Sequence, residues 1–185
     1  MTLVGTRHRF TVDEYVAMAQ HGIIARDTRT ELLDGEVIQM PPIGWPHQSI
    51  VTRLNDFFVR RCGDSAWVWV QGPITLGEWS LPQPDLMLLD RRPDAYADGG
   101  PQPSDALLLV EVADSTLTFD RRRKLPLYAK AGVKEVWIVD VSKRRILRYF
   151  DPADARYRGS EIAERGESVR IPCGDDHVAV EVLIG

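Results

Sequence analysis

The chain is short of cysteine, of long apolar runs and of positive charge. Its two cysteines, Cys62 and Cys173, stand far apart and lack the paired spacing of a zinc site. That excludes a disulfide-rich scaffold, and two reduced thiols are the expectation in a reducing compartment. No stretch stays apolar for the roughly 20 residues that a membrane helix needs. The opening segment from Met1 to Phe10 lacks the apolar centre of a signal peptide, so a cytoplasmic location without a membrane partner is expected. Lysine and arginine number 23 against 27 aspartates and glutamates, a net charge of -4. This balance argues against a broad non-specific nucleic-acid surface but leaves room for a local basic strip.

What is present is an ordinary globular composition, 44% hydrophobic and 27% charged over 185 residues. One domain over 1–185 is expected, with its core in 10–150 and further strands in 151–185. There is no internal repeat and no low-complexity tract.

Thr11 followed by Glu14 forms a capping-box pattern that predicts a helix start, with Phe10 placed to staple to Tyr15 and Gly22 to end the helix. Residues 31–40 read as a hairpin turning at Asp34-Gly35. Pro41, Pro42, Gly44 and Pro46 predict a rigid loop, and His47 to Arg61 an amphipathic helix with Ile50, Leu54, Phe57 and Phe58 on one stripe. Residues 66–70, 84–89, 107–112, 135–140 and 145–150 read as strands, as do the segments near 168–172 and 178–184. Asp120 to Lys130 reads as a helix stopped by Gly132, its first turns loosened by Pro126. Trp67, Trp69 and Trp137 read as core residues. The sum is an α/β fold: an antiparallel meander plus one parallel βαβ crossover, with helices packed on the sheet.

Within that frame two carboxylates stand out. Asp85 opens one apolar strand and Glu111 interrupts another. An antiparallel pairing centred near Asp98 aligns Met87 with Leu109, Leu89 with Leu107, and Asp85 with Glu111. Opposed residues share a face, with Cβ atoms roughly 5 Å apart. A glutamate after four aliphatic residues is costly to bury unless paired or metal-bound. Two carboxylates at one point suit a divalent cation, and Mg²⁺ accepts one or two carboxylates plus water and phosphate oxygens. The crossover brings Lys124, on the first turns of the next helix, back towards Glu111. Two carboxylates and an ammonium suit phosphodiester hydrolysis.

Several residues keep two readings. His47 is either a solvent-exposed helix-start residue or a pocket residue near a phosphate. Arg60, Arg61, Arg121, Arg122 and Arg123 either contact phosphates or form a solvated face. Tyr128 shares a helix face with Lys124, and core packing is its expected role.

The segments Glu31-Leu-Leu-Asp-Gly-Glu36, His47, Gln71, Pro84-Asp85, Glu111-Val112, Lys124-Leu-Pro-Leu-Tyr128, Ala131-Gly132-Val133 and Glu135-Val-Trp-Ile-Val-Asp140 resemble the Uma-type family of putative restriction endonucleases, within the PD-(D/E)xK nuclease superfamily. The resemblance runs from about residue 10 to about residue 150 and rests on order and spacing. It implies a restriction-endonuclease-like core and a Mg²⁺-dependent endonuclease acting on DNA, with Mn²⁺ able to substitute. Asp85 and Glu111 would then hold the metal, together with the backbone carbonyl of Val112. Glu31 would hold a metal-bound water, Gln71 would line the same pocket, and His47, Arg121 and Arg122 would meet the substrate. The superfamily's usual lysine position is Ala113 here, and the resemblance moves that role to Lys124. Two further readings stay open: an inactive nuclease-fold binding or regulatory protein, and a nuclease acting on RNA. A homodimer is the expected assembly for cutting two strands.

Overall fold

The computed structural model describes residues 5–25, 27–174 and 176–185. Residues 1–4 of the opening segment lie outside it. Helix α1 (Val12–Gln20) starts at the expected capping box: Thr11 N donates to Glu14 Oε2 at 2.8 Å, and Glu14 N donates to Thr11 Oγ1 at 3.2 Å. Strands β1 (Thr30–Leu33) and β2 (Glu36–Gln39) form the hairpin. Its two central residues, Asp34 and Gly35, have φ of 53° and 81°, the double left-handed turn that matches strand twist.

Helix α2 (Trp45–Cys62) begins earlier than the sequence suggested and absorbs Pro46, which belongs to its first turn and not to the loop. The reason is that an amide missing from a first turn leaves no helical hydrogen bond unmade. Ile50, Val51, Leu54, Phe58 and Cys62 form its buried stripe.

A six-stranded sheet follows, ordered β3 (Ala66–Val70), β4 (Leu86–Asp90), β5 (Ala106–Ala113), β6 (Glu135–Asp140), β7 (Arg145–Ala153) and β8 (Arg156–Ala163). Every neighbouring pair is antiparallel except β5 with β6, the expected parallel crossover. The connection between those two is helical over residues 117–131: α3 (Leu117–Phe119), a π-helical turn (Asp120–Lys124) and α4 (Leu125–Ala131), closed by Gly132 at φ 83°. The π turn lies directly ahead of Pro126, whose missing amide cannot continue regular α-helical bonding.

The register of β4 on β5 is the expected one over Leu86↔Val110, Met87↔Leu109 and Leu88↔Leu108. A bulge then places Leu89 opposite Ala106 instead of Leu107. It lies at the end of the ladder away from Asp85 and leaves the Asp85 end in register.

Two corrections concern the C-terminal part. Strand β8, which pairs along β7, was not anticipated, since an edge strand with a mostly solvent-facing pattern carries little hydrophobic signal. The segment 178–184 is not one strand: β9 (Ser168–Arg170) pairs with β10 (His177–Ala179), and α5 (Val180–Ile184) follows. In α5, Val180, Leu183 and Ile184 are buried while Val182 is exposed, a helical spacing.

One sheet face packs Leu86, Leu88, Leu108, Val110 and Val112 against α2 and α5. The other packs Met87, Leu89, Leu109 and Ala113 against Tyr128 of α4. Cys62 and Cys173 are joined by a disulfide, with Cα atoms 5.6 Å apart, so the expectation of two free thiols is overturned. Sequence separation misled here, because α2 and the C-terminal segment share a sheet face and meet there. Among the described residues no helix is long and apolar enough to cross a membrane.

Candidate active site

Glu111 lies near the end of β5 by strand alternation: Leu109, Glu111 and Ala113 share the face that α4 covers. Asp85 precedes β4 by one residue, and its Oδ2 accepts a 2.8 Å bond from Val112 N. The two carboxylates thus meet at one end of the central strands. Both are buried, at 7% and 3% exposure. They line one cavity with Glu31, Asp114, Asp120, Lys124, His47 and Arg29.

Lys124 is 2% exposed and joins three elements. Its Nζ lies 2.7 Å from Glu111 Oε1 and 3.1 Å from Glu31 Oε1. Glu31 Oε1 also accepts from Gln83 N at 3.2 Å. Tyr128, one turn beyond Lys124, donates its hydroxyl to Glu111 Oε1 at 2.5 Å. Its ring is core, as expected, but its oxygen belongs to the site. His47 Nε2 lies 3.0 Å from Asp85 Oδ1, which settles the side chain in the pocket and not in solvent. Among the described residues its Nδ1, and Oε2 of Glu31, are buried without hydrogen-bond partners.

The electrostatics follow from burial. Burial pushes the Glu111 carboxyl well above the usual carboxylate range, with Lys124 drawing it back. Asp120 is pushed up to about 6, again chiefly by burial, against Lys124 and a 2.6 Å bond from Thr116 Oγ1. Burial would lower the Lys124 ammonium, but Glu111, Glu31 and Asp120 more than reverse that and raise it. The cavity lining brings the carboxyl groups of Glu31, Asp85, Glu111, Asp114 and Asp120 together with the cationic side chains of Lys124 and Arg29.

Among the described residues no three His, Cys, Asp or Glu side chains stand ready as a closed metal cage. Asp85 and Glu111 supply oxygen donors only, acidic side chains outnumber basic ones in the lining, and among the described residues a Glu31 oxygen lies without a hydrogen-bond partner. That donor set fits a hard divalent cation completed by water or phosphate oxygens.

Other expected site residues stand apart. Gln71 donates its backbone amide to Asp85 O at 3.1 Å, but its side chain is not among those lining the cavity. Arg121 and Arg122 are exposed and line a separate surface hollow with Tyr149. Arg123 pairs with Glu36 at 2.7 Å.

Sequence reasoning missed Arg29, Asp114 and Asp120. Each had a signal. Arg29 is two residues before Glu31 and so on the same side of an extended chain. Asp114 directly follows the strand of Glu111. Asp120 is four residues before Lys124, on the same helix face.

The fold is thus a mixed α/β sheet with buried carboxylates and a lysine at one end of its central strands. The sequence matches the Uma2 family, described as "Putative restriction endonuclease", over residues 12–174, and the chain belongs to that family. Its fold is similar to that of a "putative nuclease belonging to DUF820 from Anabaena variabilis", with a TM-score of 0.74 at 15% identity, covering 95% of this chain and 97% of that one. No curated protein matches the sequence.

Proposed function

We propose that this chain is a Mg²⁺-dependent endonuclease that hydrolyses phosphodiester bonds in DNA, with Mn²⁺ able to substitute. The observation that carries the reading is the burial of Asp85, Glu111 and Lys124 around one cavity at the strand ends. A charged lysine and several carboxylates would not be kept there for stability alone.

Asp85 and Glu111 would hold the ion, with the backbone carbonyl of Val112 as a further oxygen. The bound ion supplies Lewis acidity and activates a water. The protein's own groups do the rest. Lys124 supplies positive charge where negative charge develops on the phosphate. Tyr128 and Lys124 both bind Oε1 of Glu111, which fixes that carboxylate and leaves Oε2 as its second oxygen. His47 fixes Asp85 from the other side. Glu31 orients Lys124 and a water. Gln71 braces the Asp85 backbone, and the exposed Arg121 and Arg122 meet flanking phosphates.

A second reading, a non-catalytic nuclease-fold binding or regulatory protein, is favoured by one observation: Lys124 is already paired to two glutamates. RNA is the alternative substrate. A cytoplasmic location and a homodimer belong to the same proposal. The test is Mn²⁺ binding by isothermal titration for the wild type and Asp85→Ala, beside cleavage of plasmid DNA and of RNA. The nuclease reading requires binding that Asp85→Ala weakens, together with DNA cleavage. Binding unaffected by Asp85→Ala, with neither substrate cut, supports the second reading.

A further inference from the structure

Lys124 and Arg29 both line the cavity of Asp85 and Glu111, but only one of them is committed. Lys124 is buried and held by Glu111 and Glu31. Arg29 is half-buried, and among the described residues its guanidinium pairs with no carboxylate. Its hydrogen bond there is Nη1 donating to Pro41 O at 3.3 Å. A guanidinium carries five N–H donors, so most of its donors are uncommitted. Arginines elsewhere, such as Arg61, Arg123 and Arg148, pair with carboxylates. Arg29 stays free although the lining holds five of them.

Its backbone is fixed. Met40 N donates to Arg29 O at 2.9 Å, which extends the hairpin one pair beyond Thr30↔Gln39. The next residue, Thr30, accepts at its carbonyl from the Tyr15 hydroxyl at 2.9 Å. Arg29 and Glu31 lie two residues apart on one extended chain, so both side chains reach the same cavity. The tether at the far end of Arg29 is Pro41, followed by Pro42, where ring closure fixes φ. A guanidinium held at both ends loses little freedom when a ligand meets it.

What such a group meets is an anion. Carboxylates outnumber cations in the lining, so an anionic substrate is repelled unless a free cation receives it. Lys124 cannot swing out to do so without stranding Glu31 and Glu111 as buried charges. The flat guanidinium fork also matches two oxygens of one phosphate, which an ammonium does not. We propose that Arg29 grips the phosphodiester to be cut, donating two parallel N–H bonds to its two non-bridging oxygens. This rests on the nuclease reading for the bond that is cut. A phosphate contact carries no base information, so the grip is the same on every sequence.

The test uses the full chain with two variants. Arg29→Gln keeps a donor for Pro41 O and loses the charge; Arg29→Lys keeps the charge and loses the fork. In Mg²⁺-dependent plasmid nicking, Arg29→Gln should lower kcat about a hundredfold, with a smaller change in KM and an unchanged melting temperature. Arg29→Lys should lose about tenfold. Binding is read separately, by fluorescence anisotropy of two labelled DNA duplexes of unrelated sequence, with Asp85→Ala added to keep them uncut. Loss of one phosphate contact lowers the slope of log K against log salt by about 0.9. Arg29→Gln should show that loss on both duplexes, and Arg29→Lys on neither. Wild-type nicking by Arg29→Gln, an unchanged slope, or a slope lost on one duplex alone overturns the proposal. A rate loss matched by a lower melting temperature, with the slope intact, also overturns it, because Arg29 then only tethers the loop. Should Arg29→Gln not fold, nicking by Arg29→Lys at the wild-type rate overturns the fork. If the wild type cuts nothing, a slope lost in Arg29→Gln keeps the phosphate contact and sinks the catalytic reading. Wild-type cutting with an unchanged slope sinks the contact alone.

Discussion

Lys124 Nζ lies 2.7 Å from Glu111 Oε1, with both side chains buried and a second glutamate, Glu31, 3.1 Å from the same nitrogen. Removing the lysine strands two carboxylates out of water. Lys124→Ala is expected to lose about 3–5 kcal/mol of stability, since breaking a buried pair leaves an uncompensated charge. Pairing Lys124→Met with Glu111→Gln should recover part of that loss. Urea unfolding of the single and double variants measures the coupling. Additive losses would show that the pair is not coupled.

Asp120 gives a pH dependence with a definite sign. Burial raises its folded pKa to about 6 from an ordinary 3.8, so the folded state holds the proton more tightly than the unfolded chain. The stability this contributes is fully present below pH 3.8 and is lost as pH rises through about 6. The span corresponds to roughly 2–3 kcal/mol. Asp120→Asn keeps a neutral side chain at every pH. Without divalent ions, its stability relative to wild type should therefore rise between pH 4 and pH 7, as measured by thermal or urea unfolding across that range.

Tyr128→Phe removes one hydroxyl and little else, because the ring stays packed in the core. The lost bond to Glu111 should lower stability by about 1–2 kcal/mol. On the proposed function, Glu111 is then held less firmly and turnover falls while the fold persists by circular dichroism. Unchanged turnover would confine Tyr128 to packing.

The Cys62–Cys173 bond closes a loop with a sequence separation of 111. Chain-entropy arguments give about 4–5 kcal/mol for a loop of that size. Reduction, or Cys62→Ala with Cys173→Ala, should lower the melting temperature. An unchanged melting temperature would mean that the C-terminal segment is held by its apolar contacts alone.

Much of this geometry was legible in the sequence, for reasons that particular residues show. The capping box at Thr11, the Asp34-Gly35 turn and the left-handed stop at Gly132 are local, and local chemistry decides them. The β4–β5 register followed from two apolar runs and a turning segment, and it placed Asp85 and Glu111 at the same end. The bulge at Leu88/Leu89 was not legible, because a one-residue slip leaves no mark on a uniformly apolar strand. Strand β8 was hidden for the opposite reason, having few buried side chains. The disulfide and the Tyr128–Glu111 bond depend on which elements share a layer, which one chain does not spell out. The π turn was foreshadowed only by Pro126.

Supercoiled plasmid nicking against Mg²⁺ concentration, for wild type, Asp85→Ala and Glu111→Gln, tests the central claim most directly. The account predicts nicking by the wild type that rises with Mg²⁺ and falls at least about a hundredfold in either variant, as expected when a group that directs charge stabilisation is removed. Wild-type nicking that persists unchanged in both variants, or that needs no divalent ion, would contradict it.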